Sequence, residues 1–259
     1  MVLVLSLIVF KIDNKEIPSL KSLLLSRPDI QELAITNPYE AFRIKYEDCT
    51  IIGYTSGKVV ANREKARSLL KELLSQILKT EEVIVIGSDE AGKGEWLGPI
   101  VVAAVAVESE KFLDLQTQGV MDSKELSLPR IHELASFIRN CHYLRTHVIV
   151  TPRRFNDLFN ELKDERKTLN DLLAWGHATA IGDLLKLVPH NNKKIKVIID
   201  EFDRIKTEQR LRIVLDQSKV EVIQLPKAEE NIAVAAASII ARDLREDYIN
   251  LLCKRIQTD

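Results

Sequence analysis

Apolar and polar positions along the chain fall into two successive patterns. The opening run Met1–Phe10 is apolar and gives way to Lys11-Ile12-Asp13-Asn14, which reads as a buried strand ending in a turn. The run is too short to cross a bilayer as a helix. It also lacks the basic stretch before it and the small-residue cleavage site after it that a signal peptide needs. Pro18 suits the start of a helix, with Leu20, Leu23 and Leu24 forming a short apolar face before Pro28. Ala41–Tyr46 alternates apolar and polar residues, as a half-buried strand does. Two further short strands, Thr50–Tyr54 and Lys58–Ala61, are joined by the hairpin signal Thr55-Ser56-Gly57. Leucines at 69, 70, 73, 74 and 78 make Arg63–Lys79 an amphipathic helix. These elements predict a small α+β domain over residues 1–80, with its boundary near Leu78–Glu82.

The second pattern alternates strands with helices. Val83–Ile86 is a strand that runs into a glycine-rich stretch, and Pro99–Val107 is a second, more fully buried one. Leu128–Ile138 reads as a helix, Tyr143–Val150 as a strand and Asn170–Leu187 as a long helix. Lys196–Ile199 and Glu221–Gln224 are short strands, and Ile232–Leu252 is an alanine-rich helix. This order predicts an α/β domain over residues 81–259, with a mixed sheet flanked by helices. No internal repeat is visible.

Composition narrows the function classes. Hydrophobic residues at 46% and charged residues at 29% describe a soluble globular chain and give no reason to expect a membrane partner. With 37 basic and 38 acidic side chains, no overall positive field advertises nucleic acid. The first 80 residues carry 12 basic and 9 acidic side chains, so the excess of acid lies in the second domain, where a carboxylate site would need cations. Cys49, Cys141 and Cys253 form no CxxC pair and the five histidines no HxxxH spacing. A disulfide framework or structural zinc is disfavoured, and a cytoplasmic monomer is expected.

The candidate chemistry lies at strand ends. Gly87–Lys93 matches GxxxxGK, a phosphate-cradling loop, but Gly94 follows where a magnesium-binding hydroxyl is required. Asp89 and Glu90 would also face the phosphates, so a nucleotide-dependent switch is a poor reading. Two adjacent acids at the end of a buried strand are costly unless a cation shares the site. Asp200 repeats the arrangement after Lys196–Ile199, and Glu229 follows the strand Glu221–Gln224. A lone strand-end Asp is most often a turn or cap residue, and Glu229 by itself would not be chosen. Together the four carboxylates make an all-oxygen site suited to Mg2+ or Mn2+. Such a site serves phosphoryl transfer, one metal activating water and a second stabilising the leaving oxygen.

Five motifs occur in order: Gly87–Val107 (GSDEAGKGEWLGPIVVAAVAV), Met121–Ser127 (MDSKELS), Thr168–Asn170 (TLN), Val197–Phe202 (VIIDEF) and Lys227–Arg242 (KAEENIAVAAASIIAR). They resemble the type 2 ribonucleases H, and the GKGEWLGP loop resembles ribonuclease HIII more than HII, which carries GRGP. Tyr39–Val60 resembles the TATA-binding-protein-like substrate-binding domain that precedes catalysis in HIII.

The resemblance implies an RNase H-like catalytic fold and divalent-metal hydrolysis of the RNA strand of RNA/DNA hybrids, leaving 5′-phosphate and 3′-hydroxyl ends. It assigns Asp89, Glu90, Asp200 and Glu229 as the catalytic, metal-holding acids of a two-metal site, with Asp89 between the metals. Gly92, Lys93, Gly94 and Lys124 would meet the substrate, as would Ser238 and Arg242, spaced four apart on one helix. Asp122 would organise the loop that carries Lys124, and weak cleavage at a single ribonucleotide embedded in DNA is expected. Asn170 is expected to cap its helix. His177 and Trp175 read as packing, and Arg153-Arg154 as a solvated loop. Family members continue past the final helix, whereas this sequence stops at Asp259. The alternative expectation is accordingly a catalytically impaired, C-terminally truncated hybrid-binding relative.

Overall fold

The computed structural model describes residues 8–78, 82–189, 193–200, 204–214, 220–226 and 228–256. Met1–Leu7 of the opening run, the boundary residues 79–81, Glu201, Phe202 and Lys227 lie outside the described residues. By their contacts, residues 1–81 and 113–119 form one compact unit, and residues 82–112 and 120–259 form the other.

The first unit is built on alternation. β1 (Ile8–Lys11) turns Ile8 and Phe10 inward, and α1 (Ile17–Leu25) buries Ile17, Leu20 and Leu24. Then come β2 (Ile30–Leu33), β3 (Glu40–Tyr46), β4 (Cys49–Tyr54), β5 (Lys58–Ala61) and α2 (Lys65–Ile77). The strands pair antiparallel in the order β1-β5-β4-β3-β2. Phe42, Ile44, Ile51 and Val59 share one core with Leu69, Leu70, Leu73 and Leu74 of α2. β2 is an addition to the expected elements: four residues with no fully buried position carry too little pattern, and the strand exists by pairing with β3. At the start of β3, buried Glu40 accepts hydrogen bonds from Arg43, Thr36 and Asn37. The Arg43 guanidinium, foremost among these, holds its carboxyl well below the ordinary carboxylate range.

The second unit centres on β6 (Val83–Ala91), followed by β7 (Ile100–Glu108). The chain then makes α3 (Phe112–Thr117), most of which belongs with the first unit: Leu113 packs on that core, and the Gln116 side chain donates to the Lys11 carbonyl. α4 (Leu128–Asn140), β8 (Arg145–Val150), α5 (Pro152–Asp164), α6 (Leu169–Leu187), β9 (Lys194–Asp200), α7 (Arg204–Val214), β10 (Val220–Leu225) and α8 (Ile232–Ile256) complete it. Strand order is β10-β9-β6-β7-β8, with β6 antiparallel to β7 and parallel to β9. The sheet is mixed, as the alternation of elements predicts.

Successive residues of β6 face opposite sides, and this decides what the helices touch. Gly87 meets α8 so closely that a Cβ there would lie 2.1 Å from the Ala233 carbonyl carbon. The backbone of α8 therefore rests directly on the strand, which explains both the glycine and the run of alanines opposite it. The next residue, Ser88, faces the other side and reaches His177 of α6. At the far side of α8, buried Asp243 is tied to α4 through His132 (2.5 Å) and Arg139 (2.6 Å). Such a pair fixes where α8 lies, since removing one partner would strand a buried charge.

Three helices, α3, α5 and α7, are additions to the expected elements. α5 holds Arg153 and Arg154 in its first turn, after Pro152, so the pair is helical rather than a loop. Phe155, Leu158 and Leu162 at helical spacing pack it against Ile100, Val150, Leu172 and Leu173. α6 is started by Thr168, whose N–H and hydroxyl both donate to Asp171, and Asn170 sits inside the helix instead of capping it. Trp175 is partly exposed instead of packed. Among the described residues no helix is long and apolar enough to cross a membrane.

Candidate active site

The end of β6 presents its two acids to different helices. Asp89 shares the α8 face with Gly87, accepts a hydrogen bond from Ser238 and receives the Glu90 backbone N–H at 2.9 Å. Burial, together with the charge of Glu90, pushes its carboxyl up to about 7. Glu90 shares the α6 face with Ser88, and its Oε2 lies 3.2 Å from His177 Nε2. Lys93 Nζ stands 3.6 Å from the other oxygen, Oε1. Burial opposes ionisation of Glu90, but the hydrogen bond and charge of His177 and the ammonium of Lys93 outweigh it and hold the carboxyl below its ordinary value.

Asp200 comes to the same place through the ladder. β9 runs parallel to β6 with Ile199 opposite Ser88, so Asp200 is the next residue along, beside Asp89 and on the α8 face. Its Oδ1 accepts the Ala228 N–H at 3.2 Å. That bond ties the 3-10 turn Ala228–Glu230, and with it Glu229, to the strand end. Lys124 completes the group. Burial works against its charge, yet Asp122, Asp89, Glu229 and Asp200 together raise its pKa, so three of the expected acids act on one ammonium. Asp122 organises the turn, its carboxylate accepting the Lys124 N–H at 3.1 Å.

The glycine loop lies between β6 and β7. Gly92 has φ +94°, and a side chain there would meet the Pro99 carbonyl at 2.3 Å, so both conformation and space demand glycine. Gly94 has φ +77° with open space around it, and Trp96 beyond it is fully exposed. Buried Arg245 pins this loop from α8. One guanidinium nitrogen donates to the Leu97 carbonyl (2.8 Å) and pairs with Glu95 (2.5 Å), while another donates to Glu246 (2.9 Å). Ser238 and Arg242, expected to share a substrate-facing helix side, part company. Ser238 is 3% exposed, and its hydroxyl lies 2.7 Å from Ser123 of the Lys124 turn and engages Asp89. From there it ties α8 to the Lys124 turn and to Asp89. Arg242 Nε donates to Glu246 at 3.0 Å.

The charges of Asp89, Asp200 and Glu229 thus all act on Lys124, and Glu90 is held on the opposite face of the same strand. Among the described residues, no three His, Cys, Asp or Glu side chains already stand close enough to hold an ion. The donor set is nonetheless all oxygen, and the surroundings of Asp89 oppose its charged form. A hard divalent cation relieves that opposition, so the residues fit one. A phosphate-cradling loop is excluded: Gly87–Ala91 is ladder, paired residue by residue with Val101–Val105, and no helix follows. The residues whose part in the site the sequence does not reveal are His177, Ser88 and Arg245. A buried polar side chain on an apolar helix face, such as His177, demands a partner, and that was the available signal.

A family model described as Ribonuclease HII matches residues 86–259, and a model described only as a domain of unknown function matches residues 7–79. The chain is 37% identical over 243 residues to Ribonuclease HIII of Protochlamydia amoebophila, covering 88% of this chain and 76% of that protein. Identity to Ribonuclease HIII of Chlamydia caviae is 33% over 240 residues, covering 87% and 76%. Among solved structures, a single-residue mutant of Bst-RNase HIII superposes with a TM-score of 0.62 at 24% identity, covering 98% of this chain and 85% of that one. Bst-RNase HIII in complex with Mn2+ gives 0.59 at 26% identity, with the same coverage. The expected architecture, a mixed-sheet α/β fold after a small antiparallel α+β one, is that of these chains.

Proposed function

With the chain a member of the ribonuclease HII family and a type 2 ribonuclease H, we propose that it cuts the RNA strand of RNA/DNA hybrids by divalent-metal hydrolysis. The observation that carries this reading is the placement of Asp89 and Asp200 at neighbouring ends of the parallel strands β6 and β9, with the Asp200 carboxylate bonded to the turn that carries Glu229. The Mn2+ bound by Bst-RNase HIII supports the choice of ion, with Mg2+ serving alike.

Asp89, Glu90, Asp200 and Glu229 would hold the metals, two in number. Bound there, the ions would activate the attacking water and stabilise the leaving oxygen. Water adds to phosphorus as the bond to the 3′-oxygen breaks, leaving a 3′-hydroxyl on one fragment and a 5′-phosphate on the other. Lys124 balances the carboxylates and meets the phosphate. The N–H groups of Gly92–Gly94, in a loop fixed by Arg245, face the RNA strand, where the 2′-hydroxyl distinguishes RNA from DNA. Ser238 and Ser123 keep Asp89 and the Lys124 turn in one arrangement. Residues 1–80 act as the TATA-binding-protein-like domain that grips the hybrid, and the enzyme works as a cytoplasmic monomer.

The test is a comparison of labelled substrates in Mg2+ and in Mn2+. The reading expects internal cuts in the RNA of a continuous hybrid, none in double-stranded RNA or DNA, and slower cleavage at a single ribonucleotide embedded in DNA. Equal cutting of double-stranded RNA would overturn the substrate assignment. Efficient cutting at the single ribonucleotide would overturn the link between that discrimination and the GKG loop.

A further inference from the structure

We infer that His177 is a positioning residue for the reaction: a clamped imidazole that holds the Glu90 carboxylate in place from the α6 side. The ring is fully buried and engaged at both nitrogens. The Ser88 hydroxyl gives its hydrogen to the Ala103 carbonyl (2.9 Å) and faces His177 Nδ1 at 2.8 Å, while Nε2 lies 3.2 Å from Glu90 Oε2. Ser88 and Glu90 are two apart on one strand and share a face, so a single ring spans both. Its location is fixed from behind. A Cβ at the preceding Gly176 would lie 2.9 Å from a Val102 methyl, so α6 lies close on β7 and brings the ring within reach. One oxygen of Glu90 is thereby committed to His177 and the other is left toward Lys93 at the loop. Removing a partner that orients a metal ligand commonly costs about ten- to a hundredfold in metal affinity.

The inference rests on Glu90 being a metal-holding acid, and the two ideas are separable. A buried histidine could equally serve stability alone, so the test uses two amides. His177→Gln places an N–H where Nε2 stands and retains the bond to Glu90. His177→Asn reaches only the Nδ1 position, retains Ser88 and loses Glu90. Mn2+ titration of the whole chain by calorimetry, thermal melting, and kcat and KM on a labelled hybrid are measured for wild type and both variants. His177→Asn is expected to weaken Mn2+ binding and lower kcat by about ten- to a hundredfold, with KM moved much less. His177→Gln is expected to restore both to near wild type, although both variants melt lower.

Equal Mn2+ affinity in wild type and His177→Asn overturns the inference, as do equal losses in the two variants. If His177→Asn does not fold, His177→Gln decides alone: wild-type Mn2+ affinity upholds the positioning role, and its loss overturns it. If the wild type binds Mn2+ no better than Asp89→Asn, the metal reading of the site fails first and this inference with it.

Discussion

At the scale of single residues, the site carries a cost that the fold must bear. Asp89 keeps a proton up to about 7 in the folded chain but loses it near its ordinary 3.8 when unfolded. Between those values the folded state binds more protons, so the metal-free chain loses stability as pH rises from about 4 through about 7. Asp89→Asn removes that slope. In chelator at pH 8 the variant should melt above wild type, by an amount on the order of 4 kcal/mol, and Mn2+ should raise the wild type alone. Parallel melting curves for the two chains from pH 4.5 to 8 would contradict this account of Asp89. The acid pair is legible in the sequence because Asp89 and Glu90 together, after a buried strand, are less easily explained as turn or cap residues than a lone acid is. His177 is not: its partners lie 87 and 89 residues away, and a lone histidine among leucines and alanines looks like packing until a strand is laid against it.

Elements were readable where pattern alone decides them. The central strands and the long helices α2, α6 and α8 carry enough apolar residues at one period to specify themselves. α5 carries the helical spacing too, at Phe155, Leu158 and Leu162, but its charges obscured the stripe and no position in it is fully buried. β2 has no pattern of its own and is made by its neighbour. A tight junction between elements is Gly87 against α8, where strand and helix backbones touch. Gly87→Ala leaves neither room to move without pulling the acids out of register with Ser238. A loss of about 3 kcal/mol is expected, read as a lower urea midpoint, together with loss of hybrid cleavage. A midpoint within experimental error of wild type would show that α8 can shift away from the strand at little cost.

For the whole molecule, the proposed chemistry lies at one end of the central strands of the sheet. β6 and β9 bring Asp89 and Asp200 side by side, the turn before α8 adds Glu229, and α6 holds Glu90 from the other face. Only the first half of this was legible in the sequence. Strand ends could be read from the local pattern, but which strands are neighbours, and in what register, is a long-range property. The resemblance to ribonuclease HIII motifs supplied what local pattern could not. The most direct measurement is a time course on an end-labelled RNA/DNA hybrid with wild type, Asp89→Asn and Asp200→Asn, in Mg2+, in Mn2+ and in chelator. The account predicts internal RNA cuts bearing 5′-phosphates by wild type in either metal, none in chelator, and a loss of at least about a thousandfold in each variant. Cleavage that persists in chelator, or in both variants, would place the chemistry elsewhere on the chain.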